Sequence, residues 1–371
     1  MKNRYKIIIM ISIIIFLVYF GQKDDKVEYA EKLLIPIGVG YDIKFKLGEN
    51  VIYDVPINHY MFQIGKSPIT DIKTGTGESL IEARSSRQVK SDKKFFLGLE
   101  KVYILSEEVA MYGIKDIVEG IFNTSIISDL GLVAVCEGKA IDIFKYPVKG
   151  GSSPSEYVEG LIKSLKYAYF FDESYKMTDI FVRVFSEGRR VILPYIEIKE
   201  EGIEVTGVAV FKEDKMVLKL NLNETKILNM LTADNTQGEI TIRYNPRDYV
   251  SFAADAKRKV KVNKENNKYN FKIDLNIDAT IEYDESKNHV FENLENEKIF
   301  KKKAEEQIEK ECKEFIKKMQ TEHKLDLLGL GRVAAAKYGR RTGVDWNDVV
   351  SNSNIDLKVN VKVIKGGRGN F

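Results

Sequence analysis

From Phe271 to Tyr283 the chain alternates without a break. Phe271, Ile273, Leu275, Ile277, Ala279, Ile281 and Tyr283 are apolar, and Lys272, Asp274, Asn276, Asp278, Thr280 and Glu282 between them are polar. Period two places one set on a buried face and the other on a wet face, the signature of a strand in an antiparallel sheet. The stretch IDLKVNVKVIK near the C-terminus alternates in the same way. Between these two strands, from about Glu292 to Lys324, Ile308, Cys312, Phe315, Ile316 and Met319 recur at helical spacing and predict one long helix. GIEVTGVAVFKEDKMVLKLN reads as a hairpin with Glu213 and Asp214 at its tip, and NETKILNML as a helix with Asn223 as its cap. Residues 200–371 therefore predict an α+β domain, an antiparallel sheet with its helices on one side.

The first half is patterned differently. LLIPIGVGYDIKF and VIYDVPINHYMFQIG read as two β-runs, and GESLIEARSSRQV as a helix with a partial apolar stripe. FFLGLEKVYILSEEVAMYGIKDIVEGIF predicts a strand through Ile104 or Leu105, then a helix capped by Ser106 with Glu107 and Glu108 in its first turn. LGLVAVCEG is a further strand. Pro147, Gly150, Gly151, Ser152, Ser153 and Pro154 crowd one loop near 147–156, which divides two subdomains or forms a lid or long turn. Residues 23–199 are thus read as an N-terminal α/β region, and the whole chain as a multi-domain mixed α/β protein.

Residues 1–22 form a segment of their own. Lys2, Arg4 and Lys6 precede an apolar run from Ile7 to Phe20, a basic end and short apolar core of the kind that directs export. Its fourteen residues span about 21 Å as a helix, against a hydrocarbon core of roughly 30 Å. Cleavage after Gly21 would put the bulky Tyr19 where a small residue is wanted, and Gln22 lacks the thiol that takes up lipid. The expectation is an uncleaved anchor carried by Ile7, Ile8, Ile9, Ile13, Ile14, Ile15, Phe16, Leu17, Val18 and Phe20, with the rest of the chain outside.

Charge and chemistry narrow the function by exclusion. With 58 basic and 55 acidic residues in 371, the chain lacks the basic excess of a nucleic-acid binder. Cys136 and Cys312 have no spacing logic and read as small buried hydrophobes. His59, His289 and His323 fall in no metal-binding pattern, and no cofactor is implied. KTGTGES lacks the lysine of a phosphate loop and reads as a glycine turn before a helix. The basic run KRKVKV, Lys257 to Val262, reads as the wet face of a strand. Nothing in the residues marks an enzyme. The one catalytic alternative, a carboxylate-based exported enzyme, needs two acidic side chains converging in a pocket, for example among Glu107, Glu108 and Asp129; a secreted binding protein is the other.

Four blocks resemble the Ger(x)C family, the C subunits of spore germinant receptors. FGQKDDKVEYAEKLLIPIGVGYD is similar to the family's opening, in which a lipidated Gly-Cys-Trp-Asp precedes a glycine-rich strand; Gly21 and Asp24 match, and Gln22 stands where the cysteine would. TGTGESLIEARSSRQVKSDKKFFLGLEKVYILSEEVA is similar to its helix, serine–arginine pair and strand-to-helix passage, and EVTGVAVFKEDKMV to its hairpin. The closing block, DLLGLGRVAAAKYGRRTGVDWNDVVSNSNIDLKVNVKVIKGG with Gly329, Gly331 and Trp346, is the most specific. The resemblance implies a non-enzymatic, extracytoplasmic, membrane-associated subunit on the outer face of the spore inner membrane. It would work with A-type and B-type integral membrane subunits, and the resemblance carries over no catalytic or germinant-binding residue.

Overall fold

The computed structural model describes residues 10–13, 16, 29–45, 51–63, 65–150, 153–232, 234–266, 268–287, 289–341 and 343–366. Two sheets organise it. In the first, β1 (Leu33–Phe45), β2 (Val51–Gln63) and β3 (Lys66–Gly77) form an antiparallel meander, and the two-residue β4 (Lys94–Phe95) pairs with the start of β1. β5 (Val102–Ser106), β6 (Leu132–Cys136) and β7 (Ile192–Ile198) continue from β1 in parallel, and a hairpin of β8 (Ile203–Lys212) and β9 (Lys215–Asn221) completes the order β3-β2-β1-β5-β6-β7-β8-β9.

Parallel neighbours need crossovers, and helices supply them. α1 (Leu80–Gln88) leads from β3 toward β4, α2 (Glu107–Tyr112) and α3 (Lys115–Phe122) join β5 to β6, and α4 (Ala140–Lys145), α5 (Pro154–Ser164) and α6 (Met177–Val184) join β6 to β7. Central strands are covered on both faces. In β5, Val102 and Ile104 enter the core under α4 and α5, whereas Tyr103 and Leu105 enter a second core under α1, α2, α3 and α6. That is why VYILS and LVAVC read as unbroken apolar runs. Ser106 caps α2 as expected, its Oγ accepting from Val109 N at 3.2 Å. The crowded loop near 147–156 joins α4 and α5, whose buried residues share one core beneath the same sheet.

KTGTGES is strand as far as Gly77, not a turn. Its glycines answer to space: a Cβ on Gly75 would lie 1.8 Å from Ala83 O, and one on Gly77 2.4 Å from Glu82 Cβ. Only bare backbone lets α1 pack this closely. The cap of the helix after β9, α7 (Leu222–Thr232), is also corrected. Asn221 takes the role expected of Asn223: its Oδ1 accepts from Glu224 N while Glu224 Oε2 accepts from Asn221 N.

The second sheet runs β10 (Asp234–Asn245), β11 (Asp248–Glu265), β12 (Lys268–Asp284) and β13 (Asn354–Gly366). β12 buries Phe271, Ile273, Leu275, Ile277, Ala279 and Ile281 as its alternation demands; Tyr283, in the same phase, is exposed beyond a register shift at Ser251/Phe252. α8 (Leu294–Lys318) lies across that face with Phe300, Ala304, Ile308, Cys312, Phe315 and Ile316 buried, and Phe300 meets Phe252 edge-on at 5.8 Å. Asn293 caps α8 by accepting from Asn296 N. The expected C-terminal sheet with helices on one side is present with two differences: the β8–β9 hairpin, read as part of it, instead extends the first sheet beside β7, and the last strand is not antiparallel. β13 pairs with β12 in parallel, because α8, α9 (Leu330–Tyr338) and α10 (Trp346–Ser351) carry the chain back to the same end before the last strand starts.

Candidate functional site

The two sheets meet around a short run of chain, Asp326 to Gly331, ahead of α9. Gly329 occupies the cap position in a left-handed conformation, φ +63°, and has no side chain to offer the helix. Asp326 supplies the missing acceptor from three residues upstream: Leu330 N donates to Oδ1 at 2.9 Å and Gly331 N to Oδ2 at 2.7 Å. A Cβ on Gly329 would lie 2.5 Å from Arg190 Nη1, and one on Gly331 2.5 Å from Trp346 Cβ. The spacing D-x-x-G-x-G thus has a physical meaning: one carboxylate caps the helix, and two bare positions admit an arginine from the first unit and the tryptophan of the second.

Trp346 stands edge-on to Tyr269 at 5.7 Å, and its Nε1 donates to Glu187 Oε1 at 3.1 Å. Glu187 also accepts from Arg341 N at 2.5 Å, and these two donors hold its carboxyl below the usual range. Because Glu187 belongs to the loop between α6 and β7, this contact and Arg190 tie the first unit to the second.

Around this junction lie two adjoining clefts of about 520 and 530 Å³ that share Arg183, Gly188, Arg189 and Arg190. The larger is lined by Arg183, Arg189, Arg190, Arg258 and Arg332 against only Asp172 and Asp234. Burial pushes the Arg190 guanidinium down to about 9; Asp326 opposes this, and Arg258 and Arg183 add to it. Burial likewise lowers Arg258, whose Nη1 donates to Leu328 O at 2.8 Å, and Arg189, where Arg332 repels it further. Asp326 is raised by burial, against the pull of Arg190 and of the two amides it accepts. Arg190 Nε is enclosed without a hydrogen-bond partner. Clustered guanidiniums with too few carboxylates can hold anionic groups through forked hydrogen bonds.

The sequence-predicted positions are distributed as follows. Ile7, Ile8, Ile9, Ile14, Ile15, Leu17, Val18, Phe20 and Gln22 lie outside the described residues; Ile13 and Phe16 are helical and exposed. Among the described residues no helix is long and apolar enough to cross a membrane. Glu107 and Glu108 follow the C-terminal end of β5, while Asp129 precedes the N-terminal end of the parallel β6. Five residues of strand, about 16 Å, hold them apart, so the carboxylate set does not converge. His59 is buried with Nδ1 3.3 Å from Ile57 O, and burial depresses its pKa; His289 is exposed, 3.8 Å from Asp284. Cys136 and Cys312 are free and buried. In KRKVKV the three lysines are on the wet face as expected, but Arg258 turns inward to the junction. No group of three or more His, Cys, Asp or Glu suited to a metal occurs among the described residues.

Comparison with known proteins gives these parts a common origin. Residues 25–198 match the pattern described as "Spore germination protein N-terminal domain", and residues 206–367 match "Spore germination B3/ GerAC like, C-terminal". The chain belongs to the spore germination GerAC/GerBC family. A relative in this family, spore germination protein GerQC of Bacillus cereus, is 23% identical over 310 residues, covering 80% of this chain and 83% of its own. The crystal structure of the GerBC protein superposes with a TM-score of 0.51 at 17% identity, over 88% of this chain and 97% of that one, and supports the mixed α/β two-domain fold. The family's C-terminal region begins inside the first sheet, in β8, and runs through the whole of β13. The arginines of the junction are residues that sequence reading missed. They are scattered from Arg183 to Arg332, and each alone reads as an ordinary surface charge.

Proposed function

We propose that this protein is a non-enzymatic, extracytoplasmic subunit of a spore nutrient germinant receptor, acting with A-type and B-type integral membrane subunits at the outer face of the spore inner membrane. The observation that carries the reading is the pair of family matches, which together cover both units. The separation of Glu107 and Glu108 from Asp129 counts against the carboxylate set named as an example for the enzymatic alternative. Attachment falls to the apolar run Ile7–Phe20, with Gln22 at the position where family members carry lipid.

Two measurements test this. Spores without the protein should respond poorly to nutrients yet germinate normally with a trigger that bypasses receptors; a normal nutrient response with no second copy compensating would overturn the receptor role. Fractionation of spores carrying the natural chain beside Gln22→Cys should find the natural chain in the membrane, uncleaved. Recovery of the natural chain from the medium would favour a secreted binding protein.

A further inference from the structure

On α1 the positions facing the core are Ala83 and Arg87, one helical turn apart. Ala83 is an ordinary choice there and Arg87 is not. Its side chain is only 5% exposed, yet no carboxylate forms an ion pair with it among the described residues. Its Nη1 reaches Val55 O at a long 3.5 Å, its guanidinium lies 5.0 Å from the Phe95 ring centre, and Nε has no hydrogen-bond partner. Burial pushes this guanidinium down to about 10, and neighbouring Arg84 adds to the effect. A buried, unpaired cation is costly unless something anionic completes it.

The space beside it has the shape for such a group. A pocket of about 350 Å³ opens between α1 and α3 over β1 and β2, walled by Val39, Val55, Ile57, Leu80, Ile121 and Ile127. That volume is within the roughly 300–1,000 Å³ range of small-molecule sites, which pair apolar walls with a few polar anchors. Glu100 also faces the pocket, but its carboxylate is already committed. It accepts from Gly98 N at 2.9 and 3.2 Å and from Ser128 N at 2.9 Å, clasping the two loops that close one end.

We propose that this pocket binds a small amphiphilic anion, a monocarboxylate with an apolar body, whose head pairs with Arg87 and whose body lies along the aliphatic walls. The site is far in sequence from the arginine junction and does not depend on the receptor reading.

The test is isothermal titration of the purified full chain in maltoside detergent with butanoate, hexanoate and 3-phenylpropanoate, the heat into detergent alone subtracted. The neutral 3-phenylpropanamide is the control. At least one acid should bind, and the amide should bind more than about tenfold more weakly, because it leaves the guanidinium uncompensated. Arg87→Met should abolish acid binding and Arg87→Lys should retain part of it. Gly120→Leu fills the pocket from α3, where the added Cβ meets only the flexible end of Leu80 at 3.2 Å, and should block binding with the charge intact. That variant keeps the test decisive if Arg87→Met fails to fold. No heat from any of the acids at about 10 mM, equal binding of acid and amide, or undiminished binding by Gly120→Leu would each overturn the proposal.

Discussion

Replacing Asp326 by alanine removes the only side-chain acceptor that the described residues offer the first turn of α9. Leu330 N and Gly331 N, bonded at 2.9 and 2.7 Å, would be left buried and unpaired. A buried donor deprived of its partner costs about 1–3 kcal/mol, so the pair amounts to about 3 kcal/mol at the lower half of that range. Loss of the carboxylate that most strongly opposes the effect of burial on Arg190 adds to it. Asp326→Asn keeps one acceptor and should cost about half as much. The chain provides its own probe: Trp346 is its single tryptophan, and its Cβ is 2.5 Å from where a Cβ on Gly331 would lie. Urea unfolding of the full chain in mild detergent, followed by tryptophan emission at pH 7, should show midpoints ordered wild type, Asn, Ala. A loss below about 1 kcal/mol for Asp326→Ala, the size of an ordinary surface change, would refute the account of the D-x-x-G-x-G spacing.

Three further substitutions test other parts of the fold. Burial raises Glu197, but Lys199, Lys219 and Thr206 outweigh it and hold the carboxyl at about 2, below its ordinary 4.5. A depressed acid contributes stability above pH 4.5 and loses it as pH falls toward 2; with both lysines partly exposed, the contribution is about 1–2 kcal/mol. Glu197→Gln should therefore be destabilised at pH 7 and match the wild type at pH 2 in acid-unfolding curves, and parallel curves throughout would contradict the assignment. Gly75→Ala and Gly160→Ala should move thermal stability in opposite directions. The first drives a methyl to 1.8 Å from Ala83 O and costs about 3 kcal/mol or more, whereas the second, in α5 with nothing within 4 Å, gains about 0.5–1 kcal/mol in helix propensity; a shared sign in calorimetry would defeat the steric argument.

How far the sequence could be read depended on whether one period decided the matter. β12 and α8 were legible because one face of each is buried, so periods of 2 and 3.6 appear directly in the residues. The direction of β13 was not legible, since alternation is identical in parallel and antiparallel strands. Gly75 and Gly77 misled because a glycine looks the same whether it serves a turn or a close approach. Asn221 and Asn223 are both good caps, and only the position of the first turn separates them. The junction and the pocket were hidden for another reason. Arg87, Arg190 and Arg258 acquire their chemistry from what surrounds them in space, and an arginine in a charged stretch is ordinarily solvated.

The β8–β9 hairpin has a practical consequence for anyone dividing this chain. The C-terminal family region starts at 206, yet β8 is zipped to β7 from Ile192–Val210 to Ile198–Ile203. A cut near 200 would strip the first sheet of its last two strands and leave β7 as a raw edge of unpaired amides and carbonyls. The other fragment would carry a greasy ribbon, Val208 to Phe211, with no sheet to join. Both pieces invite edge-to-edge aggregation. A break at 233, between α7 and β10, keeps every ladder of the first sheet whole.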